Sequence, residues 1–385
     1  MSETSLARPP QIMLMAGEAS GDLHGAELIT ALLRKSENLR VTGCGGPAML
    51  AAGQEQIFDL SGHAVFGLAE VMRHYFKFRS FFQRLVAMAV EERPDAIVLI
   101  DNSGFNLRLA AELRPKLPGT KLIYYVSPQV WASRSRRVKQ MAKDLDLLLS
   151  IFPFEKEWYE RKAPNFNVRW VGHPMLDRLN VDAKGLTAIP DRIALMPGSR
   201  AVEMTRHLPV MWEAAAKMAA VRKGLHFVLI APNEERQKQA LDWIAQQPAP
   251  NFAFESFCHY PLSHLSRCQL ALVKSGTATL DCAFAAVPAV VVYKLNPLTF
   301  EVAKRVVKVK HVSMINLLAK NPPIVPELIQ NNCTPEEIAR VALELLSKPK
   351  ALEEIRSKMA EVVASLGGPG ASDRAAAEIL QVVSR

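Results

Sequence analysis

The chain has no C-x-x-C pair, and its five cysteines (Cys44, Cys258, Cys268, Cys282, Cys333) are an odd number. Neither a zinc ribbon nor a disulfide framework is indicated, and the thiols read as reduced, mostly buried small hydrophobes. The longest apolar run, Cys282 to Tyr293, is twelve residues with Pro288 inside it. A spanning helix needs ~20. The opening MSETSLARPP has no apolar h-region, so no secretory signal is read. The expected location is cytoplasmic, with attachment to a membrane surface still open. There is no repeat at solenoid spacing and no low-complexity tract. Neither basic cluster carries the aromatic interleaving of a nucleic-acid surface, so no nucleic-acid partner is expected. No D-x-D at a strand end and no paired His argues for a metal site, and none is expected.

What is present suits a large globular protein. The 385 residues are 49 % hydrophobic and 22 % charged, and at ~150 residues per domain they make two or three domains. Lys and Arg exceed Asp and Glu by 47 to 38, a net +9, which favours anionic partners.

Short apolar runs alternate with helical patterns. Strands are predicted at 12–16, 39–44, 96–100, 121–126, 147–151 and 168–171. The pattern restarts with 193–196, 226–231, 252–254, 270–273 and 289–293. Helices are predicted at 26–35, 202–220, 234–246, 262–268 and 278–286, with a helical stretch over 335–385 broken at Gly367–Gly370. Continuous apolar strands separated by helices indicate parallel sheets covered on both faces. The expected fold is α/β: two Rossmann-like doubly wound domains facing a cleft, over 1–180 and 191–366, with a hinge at 180–190 and a C-terminal helix over 367–385. In such sheets ligands bind beyond the carboxyl ends of the strands.

After the first strand come Gly17, Glu18, Ser20, Gly21 and Asp22. The glycines allow close approach to a ligand, and a helix N-terminus follows; Ser20 and Asp22 either meet a ligand or cap the helix. The spacing is not G-x-G-x-x-G, so a dinucleotide fingerprint is absent. Asp101, at the end of the 96–100 strand, is either a general base or an N-cap. Pro197-Gly198-Ser199-Arg200 combines glycine, free backbone N–H groups, a hydroxyl and a guanidinium at a helix start, the ingredients of a phosphate cradle. It is not G-x-x-x-x-G-K-[ST], so nucleoside triphosphate hydrolysis is not indicated. Ser275-Gly276-Thr277 opens a further helix with Asp281 one turn in. That run is either a second anion site with a carboxylate for a ribose diol, or a well-capped helix.

Two stretches address surfaces. Val71, Tyr75, Phe78, Phe82, Leu85 and Ala89 form one helical stripe, widened by Phe76 and Phe81, with Arg73, Lys77 and Arg84 between. It reads either as a membrane-interface helix or as a core helix. Lys304, Arg305, Lys308 and Lys310 form a second basic cluster.

Eight motifs in order resemble the lipid-A-disaccharide synthase family of GT-B glycosyltransferases. They are MAGEASGD (Met15–Asp22), YYVSPQVWA (Tyr124–Ala132), FPFE (Phe152–Glu155), VGHP (Val171–Pro174), LMPGSR (Leu195–Arg200), SGTATL (Ser275–Leu280), VVYK with PLT (Val291–Lys294, Pro297–Thr299) and VSMINLLA (Val312–Ala319). The resemblance implies transfer of 2,3-diacylglucosamine from UDP to 2,3-diacylglucosamine 1-phosphate, with inversion, at the inner-membrane surface and without a cofactor. It implies UDP contacts at Gly198, Ser199, Arg200, Ser275, Gly276, Thr277 and Asn316, to which the spacing reading adds Asp281. It implies acceptor contacts at Gly17, Ser20 and Asp22, and a catalytic carboxylate at Asp101 or Glu18. The chain departs from the family pattern at Gly104, where a second aspartate is usual, at Ser133 for tryptophan, at Asp281 for glutamate and at Gly45 for alanine. The rival readings are a UDP-sugar 2-epimerase and a catalytically silent nucleotide-sugar or lipid-binding module.

Overall fold

A computed structural model describes residues 8–59, 75–182, 187–258, 262–296, 300–301, 309–319 and 322–384. The chain divides into two units, Met1–Asp177 with Leu366–Arg385, and Arg178–Ser365. In the first unit the strands are β1 (Gln11–Ala16), β2 (Arg40–Gly45), β3 (Glu55–Asp59), β4 (Ala96–Ile100), β5 (Lys121–Tyr125), β6 (Leu147–Ser150) and β7 (Val168–Trp170). They pair in the order β3-β2-β1-β4-β5-β6-β7, all parallel. Every residue of β1 and β4 is buried, because helices cover both faces. On one face Leu28 and Leu32 of the Ala19–Lys35 helix pack with Ala375 and Ile379 on Leu14, Val98 and Ile123. On the other, Val86, Leu109, Leu113 and Tyr159 pack on Met13, Ile97, Leu99 and Leu148.

The second unit repeats the plan with β8 (Arg192–Met196), β9 (His226–Ile230), β10 (Ala253–Phe257), β11 (Leu270–Lys274), β12 (Ala289–Tyr293) and β13 (Glu327–Ile329). The order is β10-β9-β8-β11-β12-β13, again parallel. Met204, Leu208, Met211 and Trp212 of the Ala201–Val221 helix, with Ile338 and Ala342 of the Pro335–Leu346 helix, seal one face over Ile193, Leu195, Phe227 and Leu272. In each sheet the strand order reverses once, between β1 and β4 and between β8 and β11. Those are the points where adjacent loops diverge and leave room for a ligand.

Several boundaries differ from the sequence reading. β3 and β13 carry no continuous apolar run, since each sits at an edge of its sheet. The first helix begins at Ala19, well before residue 26. The 335–385 stretch breaks at Ser347-Lys348 as well as after Ser365. The division falls at Asp177–Arg178, inside the Met175–Asp182 helix and ahead of the expected hinge, of which residues 183–186 lie outside the described residues.

The C-terminal 367–385 segment is not a separate element, because its Ala371–Val383 helix completes the first unit. Asp177 caps it from far away in sequence, accepting from Gly370 N, from Ala371 N at 3.2 Å and from Ser372 N at 3.0 Å. Arg374 donates to Val171 O at 2.8 Å. A Cβ on Gly172 would lie 2.6 Å from the Arg374 guanidinium, so the glycine of the VGHP motif makes room for this docking.

The aromatic stripe divides. Val71 and Arg73 lie outside the described residues, as do Lys304, Arg305 and Lys308. Within the Tyr75–Glu92 helix, Leu85 and Ala89 are core, and Phe82 packs edge-on against Phe105 at 5.5 Å. No helix among the described residues is long and apolar enough to cross a membrane.

Replacing Asp177 with Ala removes the acceptor for three backbone N–H groups at a helix start, an effect of about 1–2 kcal/mol. The expected outcome is faster proteolysis within 366–384, read by mass spectrometry while the rest of the chain stays intact. An unchanged digestion pattern refutes the docking role.

Candidate active site

In the first unit the switch point gathers the ends of β1 and β4. Asp101 (φ 51) and Asn102 (φ 42) both adopt the left-handed region, which is uncommon for residues with a side chain. The surroundings impose it. Asn106 Nδ2 donates to Ile100 O at 3.0 Å and to Asp101 O at 2.9 Å. The Tyr124 hydroxyl donates to Asp101 O, and Asp101 N donates to Tyr125 O at 3.1 Å. With its backbone held from three sides, Asp101 presents a half-buried carboxylate, and Ser20 Oγ lies 3.5 Å from its Oδ2. Asn102, not Asp101, stands at the N-cap of the Ser103–Leu113 helix.

Burial, together with the charges of Asp101, Tyr159 and Glu18, pushes the Tyr124 hydroxyl well above its ordinary pKa. Both carboxylates therefore act on one buried ring. Gly17 lies against Asn102, where a Cβ would be 3.3 Å from Nδ2. The fold thus brings Gly17, Glu18, Ser20 and Asp101 to one place. At Gly104 an added Cβ would meet nothing nearer than Asn102 Oδ1 at 4.0 Å.

Asp22, expected among the acceptor contacts, turns its carboxylate to the turn after β2. Its carboxylate accepts from Gly46 N at 2.8 Å, Ala48 N at 3.0 Å and Met49 N at 3.0 Å, and so starts the Pro47–Ala51 helix. A Cβ on Gly46 would lie 2.5 Å from that carboxylate. The Gly45-Gly46-Pro47 turn is the structural partner of Asp22.

The SPQVWA and FPFE motifs meet inside the same unit. Glu155 is fully buried and accepts from Trp131 Nε1 and Phe152 N, each at 3.1 Å. Tyr159 donates to Pro128 O at 3.0 Å and lies 3.1 Å from Ser127 Oγ. Burial pushes the Glu155 carboxyl up to about 7, although these hydrogen bonds favour the ionised form.

In the second unit the PGSR turn follows β8. Gly198 has φ 136, and a Cβ there would lie 2.6 Å from Glu203 Cβ. The backbone N–H groups of Ser199 and Arg200 are not free, which corrects the sequence reading. They donate to Glu203 Oε2 at 3.0 and 3.3 Å. The other oxygen of Glu203 takes Lys274 Nζ, 2.8 Å away at the end of β11. Burial pushes the Glu203 carboxyl up, but Lys274, the Ser199 N–H and Arg200 outweigh it and hold it below the usual range.

His207 lies parallel to the Tyr293 ring at 6.1 Å. Its Nε2 accepts from Lys294 N at 3.0 Å, so Nδ1 carries the proton and donates to Glu203 O at 2.9 Å. Burial lowers its pKa to about 4, which leaves the imidazole neutral. Sequence reasoning passed over Glu203, His207 and Lys274. The available signals were a glutamate three residues after the helix start, as in a capping box, and a lysine closing a buried strand.

Two further predicted UDP contacts turn inward. Ser275 is buried and its Oγ donates to Val312 O at 2.6 Å. Asn316 is 1 % exposed, and its amide is saturated. Oδ1 accepts from Ile324 N at 2.8 Å and Val325 N at 3.0 Å, while Nδ2 donates to Val325 O at 2.9 Å and Glu327 Oε1 at 2.8 Å. The Asn316 amide thus has all four of its hydrogen-bonding positions filled from within the unit, and the Ser275 hydroxyl has its proton engaged. Ser199, Arg200 and Thr277 are exposed, and Gly276 (φ 146) is half-buried. Burial pushes the Asp281 carboxyl up to about 7, against the opposing charge of Arg178. Among the described residues no three His, Cys, Asp or Glu side chains are grouped as a metal ion requires.

A lipid-A-disaccharide synthetase family profile matches residues 12–382. The lipid-A-disaccharide synthase of Trichlorobacter lovleyi is 36 % identical over 99 % of this chain and 100 % of its own length. This chain belongs to the lipid-A-disaccharide synthetase family. The fold is also similar to a calicheamicin glycosyltransferase, CalG4, at a TM-score of 0.56 and 17 % identity, covering 98 % of this chain and 99 % of that one. It is similar to a UDP-GlcNAc 2-epimerase from Neisseria meningitidis at 0.64 and 11 %, covering 96 % and 99 %. Fold alone does not separate transferase from epimerase; family membership does. The chain is a GT-B glycosyltransferase of lipid A biosynthesis.

Asn316→Ala strands the buried N–H groups of Ile324 and Val325 and the Val325 carbonyl, and takes one of three donors from Glu327 Oε1. The expected loss is roughly 2–4 kcal/mol in the unfolding of the second unit, read by denaturant titration. A variant that melts like the wild type yet no longer binds UDP would make Asn316 a ligand contact.

Proposed function

We propose that the chain moves 2,3-diacylglucosamine from UDP to the 6-hydroxyl of 2,3-diacylglucosamine 1-phosphate, inverting the anomeric carbon to give the β-1,6 disaccharide 1-phosphate. The observation that carries the reading is the clamped Asp101 carboxylate at the switch point of the first unit. Asp101 takes the proton of the acceptor hydroxyl as that oxygen bonds the anomeric carbon. The bond from that carbon to the diphosphate breaks, and UDP leaves with the electron pair. Glu18 is the alternative base, and Gly17 and Ser20 line the acceptor. In the second unit Gly198, Ser199, Arg200, Gly276, Thr277 and Asp281 serve the UDP moiety. Arg200 supplies charge where the leaving diphosphate gains it.

Incubation with the two acyl sugars should yield a disaccharide 1-phosphate and UDP by mass analysis, whereas an epimerase returns an isomeric UDP-sugar and a silent binder returns neither. Asp101→Asn keeps shape but not basicity. It should fold, bind UDP nearly normally and lose ~10²–10⁴ in turnover. A loss of only a few-fold moves the base to Glu18, and a collapse of UDP binding makes Asp101 structural.

Acyl substrates require a lipid surface, so the protein works peripherally at the cytoplasmic face of the inner membrane. Phe81 is half-buried, with its ring 6.1 Å from that of Phe105. Phe78→Ser with Phe81→Ser should weaken sedimentation with phosphatidylglycerol vesicles and leave melting unchanged. Unfolding of this variant assigns the whole stripe to the core, and undiminished sedimentation removes the helix from the membrane contact.

A further inference from the structure

The structure assigns Lys274 as a diphosphate-binding cation of the second unit, with Glu203 as the residue that positions it; this rests on the UDP reading above. Lys274 closes β11 at the switch point. Its side chain is only 16 % exposed and its partner Glu203 17 %, so the ammonium does not sample solvent freely. It is fixed from three directions. Glu203 Oε1 accepts one of its protons at 2.8 Å. The Tyr293 ring face lies 5.6 Å away, within the range of a cation–π contact. The Gly276 turn comes so close that an added Cβ would be 3.4 Å from Nζ.

The ammonium therefore stands between the PGSR turn, which Glu203 holds through the Ser199 and Arg200 N–H groups, and the Ser275-Gly276-Thr277 turn. An ammonium has three donors, and a single carboxylate oxygen uses one. The remaining donors suit the oxygens of a group that spans both turns, as a nucleoside diphosphate does. The charges acting on Tyr293 agree: Arg200 and Arg206 oppose Glu203 there. With Lys274 added, the neighbourhood carries more cations than Glu203 neutralises. Tyr293 and neutral His207 make the wall against which the lysine is held.

UDP and UMP binding by calorimetry tests the assignment. Lys274→Met should weaken UDP binding at least about tenfold, the scale of one charge-assisted hydrogen bond, and UMP binding less. Lys274→Arg should remain within a few-fold of wild type. Because Lys274→Met leaves Glu203 half-buried without its counter-charge, the paired variant Glu203→Gln with Lys274→Met separates folding from binding. It should melt near the wild type and still lose UDP affinity. If the paired variant binds UDP as the wild type does, Lys274 serves only to neutralise Glu203 and the assignment is overturned. If the wild-type protein itself binds no UDP, the donor reading of the second unit fails, and this inference with it.

Discussion

A parallel sheet with helices on both faces has its interior closed to chemistry. In both units the central strands are buried along their length, so only the strand ends can present polar groups to a ligand. The one reversal of strand order in each sheet opens two neighbouring ends at once. The rest of the architecture follows from that constraint. The clamped Asp101 stands at one reversal and the Glu203–Lys274 pair at the other, because no other place in such a sheet combines rigidity with access.

At these ends, some polar side chains are held by distant backbone groups and others reach the surface. Asp22, Ser275, Asn316 and Asp177 are polar residues in or beside family motifs, yet their side chains are taken up by backbone groups of other segments. Each holds one turn against another. Glu18 and Ser20 are exposed and Asp101 half-exposed at strand ends of the first unit, and Arg200 and Thr277 are exposed at strand ends of the second. A motif is thus two populations of residues, one that shapes the loop and one that uses the shape. The strained backbone at Asp101–Asn102 shows the link between them. The Asn106 amide and the Tyr124 hydroxyl hold a conformation that the residues would not choose, and that conformation aims a carboxylate.

The PGSR turn carries the same logic with an internal anion. Its backbone N–H groups are aimed at Glu203 rather than outward, so the turn is preorganised before any ligand arrives. The carboxylate that organises it also fixes the lysine at the end of the neighbouring strand. Fixed donors and charges of this kind need little rearrangement when charge develops on a leaving group.

Much of the fold was legible in the sequence. Buried parallel strands are continuous apolar runs, and β1, β4, β5, β6, β8, β9, β11 and β12 lay within a residue or so of the runs that announced them. The short edge strands β3 and β13 were not legible, because an edge does not require both faces to be apolar. The sequence by itself determined the repeated strand–helix order, the turns that follow each strand, the family and the positions where polar residues meet strand ends. It could not say which of those residues are engaged, since their partners lie far along the chain. Asp22 meets Gly46 across 24 residues, Glu203 meets Lys274 across 71, and Asp177 meets Gly370 across 193. Local spacing carries no information about such pairs. Only the tertiary structure brings them within hydrogen-bond distance, and so it alone decided which motif side chains are taken up by distant parts of the chain.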